Sequence, residues 1–255
     1  MGTATGKAQP LSATKPSPSL PELIASAFSE DLIAAASHGA LEEDHALALL
    51  RRTDLPPAAL EPLARSPIAG RSRKTLIKIV EHLRTPRHVS LPLLRRLFAF
   101  ELMEIAISRT VAADVKLVAE QLLIDKLETI SLGERVNLAR RASAGVAGAL
   151  LGQHERMVVE SALQNPRMTE ASVVRAIATA EAPATLIAIV AEHAKWSLRR
   201  EVQLAILRRP ETPEEIVTRI ALTLPRPVIY ELLKELRLPE RKAELQRSLL
   251  ERQQT

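Results

Sequence analysis

The sequence predicts an all-α protein in which short helices stack as a right-handed α-α superhelix, an α-solenoid, behind a disordered N-terminal tail. Composition is the first observation behind this prediction. Hydrophobic residues make up 46% of the 255 residues, but aromatic residues only 2%, and there are eight glycines. Strands draw on aromatic and β-branched residues together. An aliphatic, glycine-poor chain therefore favours helices.

The second observation is a recurring spacing, in which an apolar pair, two intervening residues and another apolar pair follow one another. On a helix these positions form a broad apolar face, wider than the seam of a coiled coil. So broad a face predicts contact with more than one neighbouring helix. The spacing starts at Leu93, Val158, Val173, Leu186, Ile216 and Val228.

The third observation concerns helix boundaries. Thr212 and Pro213 precede two glutamates, which predicts an N-cap at Thr212 and a first helical residue at Pro213. Ser131, followed three residues later by Glu134, is a second capping-box candidate. Helices of roughly two to four turns are too short to be stable alone, so they must pack on one another. Prolines punctuate the C-terminal third at Pro166, Pro183, Pro210, Pro225 and Pro239.

Domain organisation follows from composition and from internal similarity. Residues 1–18 are rich in Pro, Ser and Thr and predict a disordered tail. Aligning Pro166 with Pro210 superimposes two segments at an offset of 44 residues, VVESALQNPRMTEASVVR and VQLAILRRPETPEEIVTR. We therefore expect irregular helical repeats over residues 19–152 and regular repeats of about 44 residues over residues 153–255, as one continuous solenoid.

The turns of these repeats carry a resemblance to a known family. Residues 163–169 (LQNPRMT) and 207–213 (LRRPETP) each end one helix and open the next. They resemble the turns of HEAT and armadillo-like proteins, and most closely those of bacterial leucine-rich repeat variant proteins. The resemblance is close over residues 153–250 and loose over residues 40–150, and it implies an α-solenoid. It implies little about chemistry, because one fold hosts many functions.

Motifs for catalysis and cofactors are missing from the sequence. There is no cysteine, no paired-histidine metal motif and no glycine-rich phosphate loop. The cluster Glu42–His45 contains four metal-ligating side chains, but acidic residues in a first helical turn are also ordinary cap chemistry, which we favour. We expect no enzyme, no cofactor and no bound metal. The longest apolar run, Leu186–Ala191, is far too short to span a membrane, so we expect a cytoplasmic protein.

Basic residues provide the main functional hypothesis. The net charge is +5, and residues 1–50 hold only two of the 35 basic residues. Equivalent positions of successive repeats line up in a solenoid, so arginines could form a ridge for a protein or peptide partner, including an acidic one. Nucleic acid is the alternative partner. The candidate partner-binding residues are Arg84, Arg140, Arg141, Trp196, Arg199, Arg200 and Arg208.

Each candidate also has a structural interpretation. Arginines at helix C-termini complement the helix dipole, and a single tryptophan between helices can fill a gap. The small residues of Ser143–Ala149 could bring backbone close to a ligand, although close helix–helix contact explains them better.

Overall fold

The computed structural model describes residues 18–254, so the predicted tail lies outside the described residues apart from Pro18. All regular secondary structure between residues 18 and 254 is helical, without strands. The predicted all-α class is confirmed. None of the helices in this range has the length and apolar composition needed to cross a bilayer.

The described residues fall into two compact units, which meet in sequence between Val89 and Ser90. The helices of the first unit are α1 (Leu20–Ala25), α2 (Ser29–Ala36), α3 (Glu43–Leu50), α4 (Pro57–Arg65), α5 (Pro67–Arg71) and α6 (Arg73–Glu81). Helix α7 (Arg87–Leu94) contains the boundary. The helices of the second unit are α8 (Ala99–Ile107), α9 (Ala113–Asp125), α10 (Leu132–Arg141), α11 (Ala144–Leu150), α12 (Arg156–Leu163), α13 (Glu170–Ala178), α14 (Ala184–Glu192), α15 (Arg200–Leu207), α16 (Glu214–Thr223), α17 (Arg226–Glu235) and α18 (Pro239–Gln254).

Within each unit, helices pack on helices that lie further along the chain as well as on their immediate neighbours. In the first unit α1 packs on α3, α2 on α4, and α3 on α6. In the second unit α9, α11, α13 and α15 pack in succession, and α10, α12 and α14 do the same. Helix α16 packs on α18. Most of these contacts skip one helix.

The broad apolar face is present on some helices and incomplete on others. Helices α12 and α14 bury all four residues of their apolar pairs. Helix α13 buries Val173 and Ile177, but Val174 is half-buried and Ala178 is exposed. The spacing therefore identifies helical segments correctly, while the width of the buried face depends on how many neighbours each helix contacts.

The two predicted helix starts have different outcomes. Ser131 accepts a hydrogen bond from the Glu134 N–H, and the Glu134 carboxylate accepts one from the Ser131 N–H, so the predicted capping box is confirmed. Thr212 is buried, and its hydroxyl donates to the Ile206 carbonyl at 2.7 Å. The predicted N-cap is therefore wrong: Pro213 is the N-cap of α16, and Thr212 is tied to the preceding helix.

The repeat length of 44 residues stays a prediction. A shift of 44 carries α12 onto α15 from its first residue to its last. The helices that pack on one another, however, are α12 with α14 and α13 with α15, about 28 to 30 residues apart in sequence. The predicted change from irregular to regular repeats at residue 152 falls between α11 and α12, inside the second unit.

Candidate functional site

Polar side chains tie many of the turns to an earlier helix. The last carbonyl groups of an α-helix have no partner within the helix and must find donors elsewhere. In this protein a side chain from a later turn donates to such carbonyls, across 23 to 33 residues of sequence. We call these contacts carbonyl links. They account for several of the residues that the sequence marked as candidates for binding.

Trp196 is one of these residues. Its indole N–H donates to the Leu163 carbonyl at the end of α12, at 3.0 Å, and the side chain is only 2% exposed. The Lys195 ammonium lies 4.0 Å from the centre of the ring. Of the two interpretations of Trp196, filling a gap between helices is the one the structure shows. The buried ring offers no surface to a partner.

Arg84 belongs to the first unit, whereas the other six candidates belong to the second. Its guanidinium makes a long contact of 3.4 Å with the Asp54 carbonyl. Arg52 hydrogen-bonds the Asp54 carboxylate and holds the pKa of that carboxyl below its usual value. Arg84 is exposed, so a partner could reach it, but its contact with the Asp54 carbonyl resembles the carbonyl links.

Four candidate arginines are exposed, and their side chains make no hydrogen bond or ion pair with the described residues. They form two doublets at opposite kinds of helix end. Arg140 and Arg141 occupy the last turn of α10, where the helix dipole favours a cation. Arg199 and Arg200 are the N-cap and first residue of α15, where the dipole disfavours a cation. The remaining candidate, Arg208, is exposed and pairs with Glu235 at 2.9 Å.

The doublet at the start of α15 adjoins an exposed apolar side chain. Leu198 immediately precedes Arg199 and is 76% exposed. The turn beneath is fixed, because Trp196 is buried and the Gln203 amide donates to the Ser197 carbonyl at 2.8 Å. We call Leu198, Arg199 and Arg200 the basic patch. Glu201 follows in the same first turn, but it pairs with neither arginine.

A groove runs between α11 and α13. Its walls are small side chains of both helices, and its volume is about 420 Å³. Gly148 faces Ser172, where an added Cβ would make an ordinary contact at 3.5 Å. The small residues predicted within Ser143–Ala149 thus allow close helix contact and also leave open space. Arg175 also lines the groove, and its guanidinium makes no hydrogen bond or ion pair with the described residues. Sequence reasoning did not select it, although the repeat alignment pairs it with Arg219.

The first unit contains a larger cleft, of about 720 Å³, between the end of α2 and helices α4 and α5. His38, Glu61, Arg65 and Arg71 line it. Glu61 accepts a hydrogen bond from His88 Nε2 at 2.7 Å and contacts Arg65 at 3.3 Å. Glu61 and His88 are 27 residues apart, and no sequence motif connects them. This grouping of ionisable residues was missed by sequence reasoning for that reason.

Between residues 18 and 254 no group of three or more His, Asp or Glu side chains is arranged to hold a metal ion. Glu42 and His45 instead cap α3, with the Glu42 N–H donating to His45 Nδ1 at 3.4 Å. Comparisons with protein-family models, with curated proteins and with solved structures find no match to this chain.

Proposed function

We propose that this protein is a non-catalytic helical-repeat scaffold that binds an acidic protein or peptide through the basic patch. The observation that carries the proposal is the pair Arg199 and Arg200 at a helix N-terminus, exposed, unpaired and next to an exposed leucine. Two cations at that end of a helix oppose its dipole. A carboxylate of a partner would relieve this opposition and give the arginines bidentate hydrogen bonds.

The rigidity of the turn supports the same proposal. Binding costs less conformational entropy when the contacting residues are already held in place. The buried Trp196 ring and the Gln203 amide fix both sides of the basic patch. Leu198 supplies an apolar contact beside the two arginines, and arginine is enriched at protein interfaces relative to the rest of the surface. The groove between α11 and α13 offers an additional surface in the same unit.

The fold belongs to the proposal as well. We propose that the helices of each unit stack as segments of a right-handed α-solenoid related to HEAT, armadillo-like and leucine-rich repeat variant proteins. Support comes from the helix contacts that skip one helix along the chain, because a solenoid repeat contacts chiefly its neighbours. We further propose a cytoplasmic setting, which a chain without cysteine suits.

Charge reversal tests the basic patch. Full-length protein and the double variant Arg199→Glu, Arg200→Glu serve as baits in a native lysate, and captured proteins are compared by mass spectrometry. We expect at least one acidic protein to bind the wild type and to be lost from the double variant. The matched control is Arg140→Glu, Arg141→Glu, which changes the same charge at a doublet that the helix dipole explains. Equal losses in both variants would point to net charge alone and contradict the proposal.

Filling the groove tests whether the partner extends across the second unit. Gly148→Leu places a side chain in the groove without a backbone clash, since an added Cβ meets Ser172 only at contact distance. Gly133→Leu makes the same change on α10, where an added Cβ meets nothing within 4 Å. We expect Gly148→Leu to weaken capture and Gly133→Leu to leave it unchanged. Equal capture by both variants would confine the interface to the basic patch.

Nucleic acid is the second candidate partner, and the two unpaired doublets favour it. Each arginine that contacts a phosphate releases counterions, so the affinity should fall steeply with added salt. The arginines have few aromatic neighbours for base stacking, which makes a protein partner the better proposal. Fluorescence-polarisation titration with short duplex and single-stranded probes tests the alternative. Absence of binding at low ionic strength would eliminate it.

A further inference from the structure

The cleft of the first unit combines an apolar wall with hydrogen-bond donors. Leu41, Pro62 and Ile68 are half-buried and line one part of it. Arg65 and Arg71 bring two guanidinium groups to the same cleft. The side chain of Arg71 is exposed and has no partner among the described residues, so its five donors are available to a ligand.

His38 contributes a further donor. Its Nδ1 accepts a hydrogen bond from the Ala40 N–H at 3.1 Å. In the neutral ring the proton must then lie on Nε2, because a nitrogen that accepts a hydrogen bond carries no hydrogen. No contact within the described residues occupies Nε2. The neutral ring therefore offers an N–H at the cleft.

The one acidic group of the cleft is engaged elsewhere. Glu61 is held by His88 at 2.7 Å and by Arg65 at 3.3 Å. Its contact with His88 directs one carboxylate oxygen toward α7 and away from a ligand. Glu61 is the one carboxylate among the residues that line the cleft, and it pairs with neither Arg71 nor His38. The cleft is therefore complementary to negative charge beside an apolar surface.

We propose that this cleft binds a small organic anion, with a carboxylate or phosphate held by Arg71, Arg65 and His38 and an apolar body resting on Leu41, Pro62 and Ile68. The site is distinct from the basic patch, which lies in the other unit. A second site of this kind would let a metabolite bind the scaffold independently of its protein partner.

The proposal is tested by an NMR titration of the full-length, isotope-labelled protein with phenyl phosphate and with benzoate. Benzamide, which has the same ring and no charge, measures the contribution of charge. Inorganic phosphate, which has the charge and no ring, measures the apolar contribution. We expect saturable shifts at Gly39, Ser66 and Ile68 with phenyl phosphate or benzoate, and much weaker ones with benzamide and with phosphate.

Three substitutions sharpen the titration. Arg71→Gln should weaken binding of the anion about threefold, the scale of one solvent-exposed charge pair. Glu61→Gln should strengthen it by a similar factor, because the change removes the only carboxylate of the cleft and frees Arg65. The matched control is Arg51→Gln, an exposed and unpaired arginine of the same unit outside the cleft, which should change nothing.

Several results would overturn the proposal. They are the absence of shifts at the cleft with either anion, equal shifts with benzamide, or equal effects of Arg71→Gln and Arg51→Gln. Weaker binding by Glu61→Gln would also contradict it, provided that circular dichroism shows the variant to be folded. The wild type and Arg71→Gln decide the question by themselves if Glu61→Gln does not fold, since the Arg71 side chain makes no hydrogen bond or ion pair with the described residues.

Discussion

Both units provide hydrogen-bond partners for carbonyl groups near the end of an earlier helix, but they use different side chains. In the second unit Asn165 Oδ1 accepts from the Arg167 N–H at 2.7 Å, and Asn165 Nδ2 donates to Ala139 and Ala142. In the first unit His82 Nδ1 accepts from the Arg84 N–H at 3.3 Å, and His82 Nε2 lies 2.9 Å from the Arg52 carbonyl.

The correspondence extends to the arginine two residues further on. Arg167 donates to the Arg141 carbonyl at 3.0 Å, and Arg84 contacts the Asp54 carbonyl at 3.4 Å. A turn of this kind requires one side chain that accepts a local N–H and also donates to an earlier helix. Asparagine does so with an amide, and histidine does so with its two ring nitrogens in one neutral tautomer.

The difference between the two links is burial. Asn165 is 1% exposed and satisfies two carbonyls, whereas His82 is half-buried and satisfies one. A buried polar group without a partner costs more than an exposed one, because water cannot replace the lost hydrogen bond. Both units therefore contain carbonyl links, and a link should contribute more to stability when its side chain is more deeply buried.

Removing the buried link should have the largest effect. Asn165→Ala leaves the Ala139 and Ala142 carbonyls without this donor and should lower the free energy of unfolding of the second unit by about 3 kcal/mol. Urea unfolding followed by Trp196 fluorescence measures it, because the only tryptophan lies in this unit. Gln164→Ala, an exposed neighbour, is the control. Equal midpoints for the two variants would contradict the assigned role of Asn165.

Exchanging the link residue at the buried position should have the next largest effect. Asn165→His keeps an acceptor and a donor but forces a larger ring into a site that is 1% exposed. Overpacking of this kind costs about 1–3 kcal/mol, so we expect about 2 kcal/mol in the same fluorescence experiment. A variant as stable as the wild type would show that the site has room, and that burial does not separate the two links.

Changes at the half-buried link should have a smaller effect. His82→Ala should lower stability by about 1 kcal/mol, the usual contribution of a single hydrogen bond. His82→Asn should recover part of this loss, because asparagine can make both contacts. Circular dichroism should detect the change, while the Trp196 fluorescence transition should not move. Leu83→Ala, at an 81% exposed neighbour, serves as the control. Identical stabilities of His82→Ala and His82→Asn would refute the correspondence with Asn165.

The smallest effect should come from pH, through a third turn, in which a histidine accepts local N–H groups but donates to no earlier helix among the described residues. His193 Nδ1 accepts from the Lys195 N–H at 3.1 Å, and burial, followed by the charge of Lys195, lowers the pKa of His193 below 6.5. The folded state then binds fewer protons than the unfolded state. Stability should be constant above the usual pKa and fall as the pH drops from 6.5 toward the lower folded value.

His193→Asn keeps a side-chain acceptor for the Lys195 N–H and removes the titrating group. Trp196 fluorescence melts at several values between about pH 8 and pH 5 should show a shallower decline for the variant than for the wild type. Parallel pH profiles for the two proteins would mean that other groups cause the dependence.

The sequence was sufficient for the helices and for part of their boundaries. The capping box at Ser131 was predictable because both of its hydrogen bonds are local. Thr212 was misassigned because its hydroxyl donates to the Ile206 carbonyl of the preceding helix. A threonine that bonds to the preceding helix and a threonine that caps the following one stand in the same local sequence, so the sequence does not distinguish them. Aliphatic spacing identified α12 and α14, but no local pattern states how many neighbours a helix will contact.

The candidate surfaces were predictable only in part. Arg199 and Arg200 were identified from charge, yet their position at a helix N-terminus, which separates them from Arg140 and Arg141, came from the structure. The sequence did not reveal that His82 and Asn165 occupy corresponding positions, because the repeat alignment was anchored on prolines. Pro86 and Pro166 are the prolines that come after the two link residues, and aligning them gives an offset of 80 residues, whereas His82 and Asn165 are 83 apart. Because the two corresponding positions hold different residue types, they do not appear as an identity in a sequence alignment.

Hydrogen exchange of Asn165→Ala, compared with the wild type by mass spectrometry, tests the carbonyl links most directly. The links predict faster exchange in α10 and α12, residues 132–141 and 156–163, because removing one side chain loosens the two helices that it joins. They predict unchanged exchange in α1 to α6, residues 20–81. Unchanged exchange in α10 and α12, or an equal acceleration in both units, would contradict the view that these side chains hold the packed helices together.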